Sequence, residues 1–367
     1  MNTKHNVPIS KPILGDAEKQ AVMDVLDSGM IVQGPRTAEL EKRFAAVVGT
    51  KHAIATSSGT TALHLAMLAH GIGPGDEVIT SPFTFIASVN SIIYAGATPV
   101  YCDVREQTFN MDVSKLESLL TPRTKAILPV HLYGTACDMT ELLAFAKKHN
   151  LVVIEDCAQS IGASYQDKMT GSMGTGCFSL YATKNVMSGE GGMVTTNSDE
   201  IADLVRTQRG HGMRRRYYHD LLGFNFRMTD LHAAIGVVQL GRLNEFTSKR
   251  QANAAYLSAH LRGVKTPTVA AHRNHVWHQY TVRLAGATGE QRDAAVAAIN
   301  EQGVGCGVFY PIPANRQQHI IDLGLHAADV PVAERLASEV FSLPVHPSLT
   351  SFDLEHIVNV VNSVCGA

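Results

Sequence analysis

The sequence is poor in most of the features that mark a charged or membrane-bound protein. Its 31 Lys and Arg against 33 Asp and Glu leave a formal net charge of -2. It therefore has neither the basic footprint of a nucleic-acid binder nor an acidic tail. Charged residues are only 17% of the chain and hydrophobic ones 45%, a balance that excludes a disordered or fibrous protein. No apolar run approaches the roughly 18 residues of a membrane span, and "MNTKHNVPISKPILGDAEKQ" lacks the apolar stretch of a signal peptide. Cys102, Cys137, Cys157, Cys177, Cys306 and Cys365 stand far apart, with no CxxC pair and no Cys/His cluster at zinc spacing. Reduced buried thiols, no metal and a cytoplasmic location are the expectations. A GxGxxG turn after the first strand is also missing, which argues against a dinucleotide-binding enzyme. There is no internal repeat and no low-complexity tract.

What is present is a rhythm. At 367 residues the chain exceeds one ordinary core, and we expect a large domain over 1–245, including the N-terminal segment, and a smaller C-terminal domain over 246–367. From residue 52 onward, short β-rich runs alternate with helical ones: "HAIATSS" then "GTTALHLAMLAHG", "EVITSP" then "FIASVNSIIYAG". "TPVYCDV", "KAILPVHL" and "LVVIEDCA" read as further strands, the last two separated by the helical "DMTELLAFAKKH". Strands this uniformly apolar are buried on both faces, so the spacing predicts an α/β fold with a mostly parallel central sheet covered by helices. "CFSLY" and "GGMVTTN" add two strands, after which helices dominate from Ser198, a candidate N-cap. The remainder reads as a smaller α+β domain reached through a linker near "GVKTPTVAAHRN".

In open parallel sheets ligands sit beyond the carboxyl ends of strands, so polar residues there carry the functional question. Ser58-Gly59-Thr60-Thr61 ends a strand and begins a helix, and such a turn is either an ordinary N-cap or a phosphate cradle. Asp156 ends "VVIED", with Gln159 three residues on. Its carboxylate either caps the following turn or faces a protonated ring nitrogen. Lys184, in "FSLYATKNVMSGEGGM", is a surface amine or, if desolvated, a nucleophile toward an aldehyde. Anion anchor, counter-charge and amine are together what pyridoxal phosphate requires.

These same stretches carry a resemblance. "SSGTTALHLA", "GPGDEVITSPFTFIASVNSI", "GATPVYCDV", "PVHLYG", "VIEDCAQSIGA", "FSLYATKNVMSGEGGMV", "GFNFRMTDLHAAIG" and "SLPVHPSLT" resemble, in order, motifs of the DegT/DnrJ/EryC1/StrS family of sugar aminotransferases. The resemblance implies a fold-type I pyridoxal-phosphate transferase, aspartate aminotransferase-like. It implies that Lys184 holds the cofactor aldehyde and shuttles the proton, and that Asp156 partners the pyridinium nitrogen. Gln159 matches a residue near the cofactor phenol oxygen, Gly59, Thr60 and Ser179 match phosphate contacts, and Phe85 matches the aromatic over the ring face. Asn225 matches an asparagine reaching the phosphate of a neighbouring subunit, which implies a homodimer with shared active sites.

Related sugar 3-dehydratases carry histidine where Lys184 stands, so lysine favours amino transfer. The implied substrates are an amino-acid donor, taken as glutamate, and a nucleotide-linked keto-6-deoxyhexose, with "NFRM" resembling enzymes that act at C4 rather than C3. A keto-cyclitol aminotransferase and a regulatory protein that binds the cofactor without turnover are the alternatives. His131, His211, Arg227 and Tyr310 are candidates for sugar or diphosphate contacts, each with a structural role as the competing reading. "RRRYY" is expected to be a solvated basic turn, and "YYHD" and "HRNHVWH" surface or interface. Asn315 departs from the histidine common among relatives.

Overall fold

The computed structural model describes residues 5–366; residues 1–4 of the expected first domain lie outside the described residues. Seven strands form the main sheet: β1 (His52–Thr56), β2 (Glu77–Thr80), β3 (Thr98–Tyr101), β4 (Thr124–Leu128), β5 (Val152–Asp156), β6 (Thr175–Ser179) and β7 (Gly192–Thr196). Their order is β1-β7-β6-β5-β4-β2-β3. Only β7 runs against its neighbours, β1 and β6; the other pairs are parallel. Because β7 reverses twice, β1, β5 and β6 point the same way and end along one edge. That edge carries Ser58 and Asp156, marked by their strand-end positions, and Ser179, marked by the resemblance.

Helices cover both faces, as the apolar strands require. The helices α1 (Asp16–Ser28) and α2 (Pro35–Val48) precede the sheet, and α3 (Gly59–Ala69), α4 (Ala87–Tyr94), α5 (Met139–Lys148), α6 (Asp199–Arg209), α7 (Asp230–Gly241) and α8 (Leu243–His260) follow in order. On one face Ala62, Leu65 and Ala66 of α3 and Ile201 and Val205 of α6 pack with Ile54, Val78, Leu128 and Ile154. On the other, Leu40 and Phe44 of α2 and Ala233 and Val237 of α7 pack with Ala53, Ala55 and Phe178. Ile54 and its neighbours Ala53 and Ala55 thus enter different cores, the period of two that a doubly covered strand imposes. As expected, Ser198 caps α6, its side chain accepting from the Ile201 amide.

A second core gathers Leu257 of α8, Tyr280 and Val282 of β8 (Tyr280–Arg283), and Ile299 of α9 (Gly289–Glu301). It continues through Phe341 and Leu343 of β9 (Val340–Leu343) and Ile357 and Val361 of a C-terminal helix, Ser351–Cys365. β8 and β9 pair antiparallel. Val7 also joins this core and bridges Val304, and the expected cut between residues 245 and 246 falls inside α8. Buried Arg283 ties the two parts together, donating to Glu339 at 2.9 and 2.6 Å and to Glu106 at 2.7 Å.

"HRNHVWH", expected at the surface or an interface, keeps His272 and Asn274 exposed but buries its second half within the chain. His275 and His278 are both 6% exposed, because this segment packs against the sheet domain. The His275 ring stacks on Trp277 at 3.9 Å between centroids. "RRRYY" is the solvated turn expected, with Arg215 over the Tyr218 ring at 3.4 Å and both tyrosines exposed.

Candidate active site

A cavity of about 500 Å³ opens at the carboxyl edge of the sheet. It brings together Gly59, Thr60, Phe85, Asp156, Gln159, Ser179, Lys184 and Tyr310 from separated stretches of the sequence. At its floor α3 begins. Ser58 caps that helix by accepting from the Thr61 amide at 3.1 Å, and the first-turn amides of a helix have no partner within it. A side chain at residue 59 would place its Cβ 2.8 Å from the Ser179 Cβ. Only glycine lets the positive end of α3 and the Ser179 hydroxyl share one small space, and that space suits an anion.

Asp156 ends β5 and is 5% exposed. Its Oδ2 accepts from the Ser88 hydroxyl at 2.7 Å and its Oδ1 from the Ala158 amide at 3.0 Å. Burial pushes the carboxyl above its ordinary range, opposed by those two hydrogen bonds and by the Lys184 charge. A carboxylate so placed is short of positive charge and can take a cation arriving in the cavity. Lys184 is half-buried, and desolvation lowers its amine from 10.5 to about 8, with Asp156 pulling the other way. Near neutral pH the amine is therefore within reach of its unprotonated, nucleophilic form.

Gln159 is fixed at both ends. Its Oε1 accepts from the Tyr133 amide at 2.7 Å, and its Nε2 donates to the Tyr310 hydroxyl at 3.2 Å. Burial raises the Tyr310 pKa, so the phenol stays protonated and keeps its own O–H to donate. Phe85, 57% exposed, stands at the mouth with its ring 6.1 Å from that of Tyr310.

The remaining candidates are not in the cavity lining. His131 is 0% exposed beneath the strand ends. Its Nδ1 accepts from the Cys137 amide at 3.1 Å and its Nε2 meets Glu155 at 2.9 Å. An amide donating to Nδ1 requires that nitrogen unprotonated, so Nε2 carries the hydrogen and the ring is neutral. Of the two readings of His131, a sugar or diphosphate contact or a structural residue, the burial of its polar atoms in the interior favours the second. His131, Glu155 and Cys157 cluster at metal-like distances, but Glu155 also accepts from the amides of Gly171, Met173 and Gly174 at 2.7–3.0 Å. The group is saturated as a structural network. His211 is half-buried with φ 63°, its amide donating to the Phe224 carbonyl. Asn225 and Arg227 stand on the exposed surface.

Three residues escaped the sequence reading. Ser88 holds Asp156, and its only signal was the polar pair Ser88 and Ser91 on an apolar helix; Thr84, just before that helix, is hydrogen-bonded to Ser88 at 2.8 Å. His278 and Glu190 line the cavity; the first was hidden in a histidine-rich stretch, the second in a glycine-rich one.

Comparison with known proteins gives the family and the fold. The DegT/DnrJ/EryC1/StrS aminotransferase family matches residues 12–362. GDP-perosamine synthase of Caulobacter vibrioides is 42% identical over 99% of this chain and 100% of that protein. A UDP-N-acetyl-3-dehydro-alpha-D-glucosamine 3-aminotransferase of Acidithiobacillus ferrooxidans is 39% identical over 97% of this chain and 95% of that one. Among solved structures, S. venezuelae DesV in complex with a ketimine intermediate superposes with a TM-score of 0.90 at 36% identity, covering 95% of this chain and 94% of that chain.

Proposed function

The chain belongs to the DegT/DnrJ/EryC1/StrS aminotransferase family, and from that premise we propose that it binds pyridoxal 5'-phosphate and moves an amino group from L-glutamate to C4 of a nucleotide-linked keto-6-deoxyhexose. That it is a sugar aminotransferase follows from the family and from its relatives. The observation that carries the finer reading is the convergence of Lys184, Asp156 and the Gly59–Ser179 contact on one cavity. A phosphorylated pyridine aldehyde needs an amine, a buried carboxylate and an anion cradle, and the donor set fits all three.

When bound, the cofactor supplies the aldehyde that accepts nitrogen and the ring that draws off electrons. The chain's own groups do the rest. Gly59, Thr60 and Ser179 would hold the phosphate through helix-end amides and a hydroxyl. Asp156, itself held by Ser88, would keep the ring nitrogen protonated. Lys184 would carry the proton from the donor carbon at its Nζ, for which an amine near 8 is suited. Phe85 would cover the ring, and Gln159 would stand near the phenol oxygen with Tyr310 behind it. The same residues would serve both half-reactions.

Support for C4 comes from "NFRM" and from the perosamine synthase relative, whereas the 3-aminotransferase relative stands for C3. We also propose that Asn225 and Arg227, exposed outside the cavity, complete the site of a second copy in a homodimer, and that the enzyme works in the cytoplasm. No helix among the described residues is long and apolar enough to cross a membrane.

The test is a panel of dTDP-, UDP- and GDP-linked 3-keto and 4-keto sugars incubated with enzyme, cofactor and L-glutamate. The expected result is an amino sugar from a 4-keto substrate with matching release of 2-oxoglutarate. Amination confined to 3-keto sugars, or to a keto-cyclitol assayed beside the panel, would overturn the substrate assignment. No amination, by protein that binds the cofactor, would favour the regulatory alternative.

A further inference from the structure

We propose that His278 is a positioning residue for Lys184, its free Nε2 serving as the acceptor that the lysine amine takes once Asp156 is committed to a ring nitrogen. The inference rests on the reading of Lys184 as the proton carrier. It begins with Asn185, the residue after that lysine. The Asn185 Nδ2 donates to the Val276 carbonyl at 2.8 Å, which fixes the orientation of the amide. Its Oδ1 therefore faces the His278 Nδ1, 3.2 Å away, as an acceptor. The Nδ1 must carry the hydrogen, and the neutral ring then offers Nε2 as a lone pair. Among the described residues no hydrogen bond to Nε2 is present, from Lys184 or any other group, and Nδ1 makes the ring's one hydrogen bond; His278 and Lys184 line the same cavity.

The backbone that carries the ring is also firmly placed. The buried Arg250 guanidinium donates to the carbonyls of Trp277 and His278 at 3.0 and 3.4 Å. On the other side Gly134 lies so close that a Cβ there would stand 2.9 Å from the His278 amide nitrogen. Burial and the charges of Lys184 and Arg250 hold the imidazole well below its ordinary pKa, so it stays an acceptor and does not itself take the proton.

The need for such an acceptor follows from what Asp156 must do. Asp156 is the one carboxylate whose charge steadies the Lys184 ammonium. If Asp156 is committed to a ring nitrogen, an ammonium formed on Lys184 loses that partner at the moment of proton transfer. A neutral imidazole nitrogen restores a hydrogen bond to the charged form without adding a charge. The other charged or titratable groups of the two cavities that contain Lys184 are Tyr181, Glu190 and Tyr310 on one side and Lys11 and Arg250 on the other. Of these only Glu190 is an anion, and it is exposed.

The experiment compares H278L, which loses the acceptor, with H278Q, whose amide oxygen can reach the Nε2 position. Two readouts are used. In cofactor-free protein, in the wild-type and D156N backgrounds, the pH dependence of Lys184 acylation by acetic anhydride is followed by peptide mass spectrometry. In loaded enzyme, the rate of the glutamate half-reaction is followed by stopped-flow absorbance. We expect H278L to shift the Lys184 profile toward lower pH by about one unit in the D156N background, and to slow the glutamate half-reaction about 100-fold with little change in KM. H278Q should restore both to within about threefold of wild type. An unchanged lysine profile in H278L, or H278Q as impaired as H278L in both readouts, would overturn the proposal. A higher KM for the sugar with the lysine profile unmoved would do the same and assign Nε2 to substrate. If wild-type protein carries out no transamination, the reading of the function fails instead, and the acylation profiles still decide whether His278 acts on Lys184.

Discussion

Glu155 and Asp156 are consecutive in sequence and both buried, yet they do opposite things. Alternation along β5 sends one to each face of the sheet. The Glu155 carboxylate lies in a niche where three backbone amides and the His131 ring fill its acceptor sites. Asp156 receives one hydroxyl and one amide and leaves the rest of its capacity to the cavity. The difference separates a carboxylate that holds the fold from one that is held for use. Incomplete satisfaction of a buried charge, with open space beside it, is the physical mark of the second kind.

That contrast can be broken by substitution. The largest effect should come from the amine facing Asp156: Lys184→Ala should lower amino transfer by at least about 1,000-fold, measured as single-turnover loss of cofactor absorbance with glutamate. Next come the two carboxylates, whose variants should separate stability from activity. Glu155→Gln puts an NH2 group among donors and should cost about 3 kcal/mol of folding stability, read by denaturant unfolding. Asp156→Asn should leave unfolding nearly unchanged and lower turnover by about 100-fold or more. If the two variants behave alike, the distinction drawn along β5 is wrong.

Ser88→Ala removes one hydrogen bond from Asp156, worth about 1.5 kcal/mol for a charged acceptor. It should weaken cofactor binding about tenfold, measured by equilibrium titration. The smallest effect concerns pH. Lys184 is lowered from 10.5 to about 8 in the fold, so folding disfavours its charged form. That penalty is present in full below pH 8 and fades as pH rises from 8 to 10.5. Cofactor-free wild-type protein should therefore gain stability relative to Lys184→Met across that window, seen as converging thermal midpoints.

The sheet and its covering helices were legible because apolar strands buried on both faces leave an unbroken period, and caps such as Ser58 and Ser198 mark where helices begin. Lys184, Asp156, Gln159 and Gly59 were legible because each stands at or just beyond a strand end, where a parallel sheet collects its ligands, and Ser179 through the family resemblance alone. His131 also follows a strand, and sequence could not tell that its ring turns into the interior toward Glu155. His278 was misjudged for the reverse reason. It lies in a polar stretch after a linker, and its burial depends on Asn185 and Arg250, which are 93 and 28 residues away. Contacts of that range leave no local pattern. Ser88 was missed because a serine on an apolar helix looks like a gap in the stripe until the strand end it faces is known.

The central claim is that Lys184 is the amine to which the cofactor binds. Protein incubated with pyridoxal 5'-phosphate, reduced with borohydride, digested and examined by mass spectrometry measures this directly. The account predicts a visible absorption band that disappears on reduction, and a phosphopyridoxyl mass on the peptide containing Lys184 alone. A protein that takes up no cofactor, or one in which the mass lies on another lysine while Lys184 is unmodified, would contradict it.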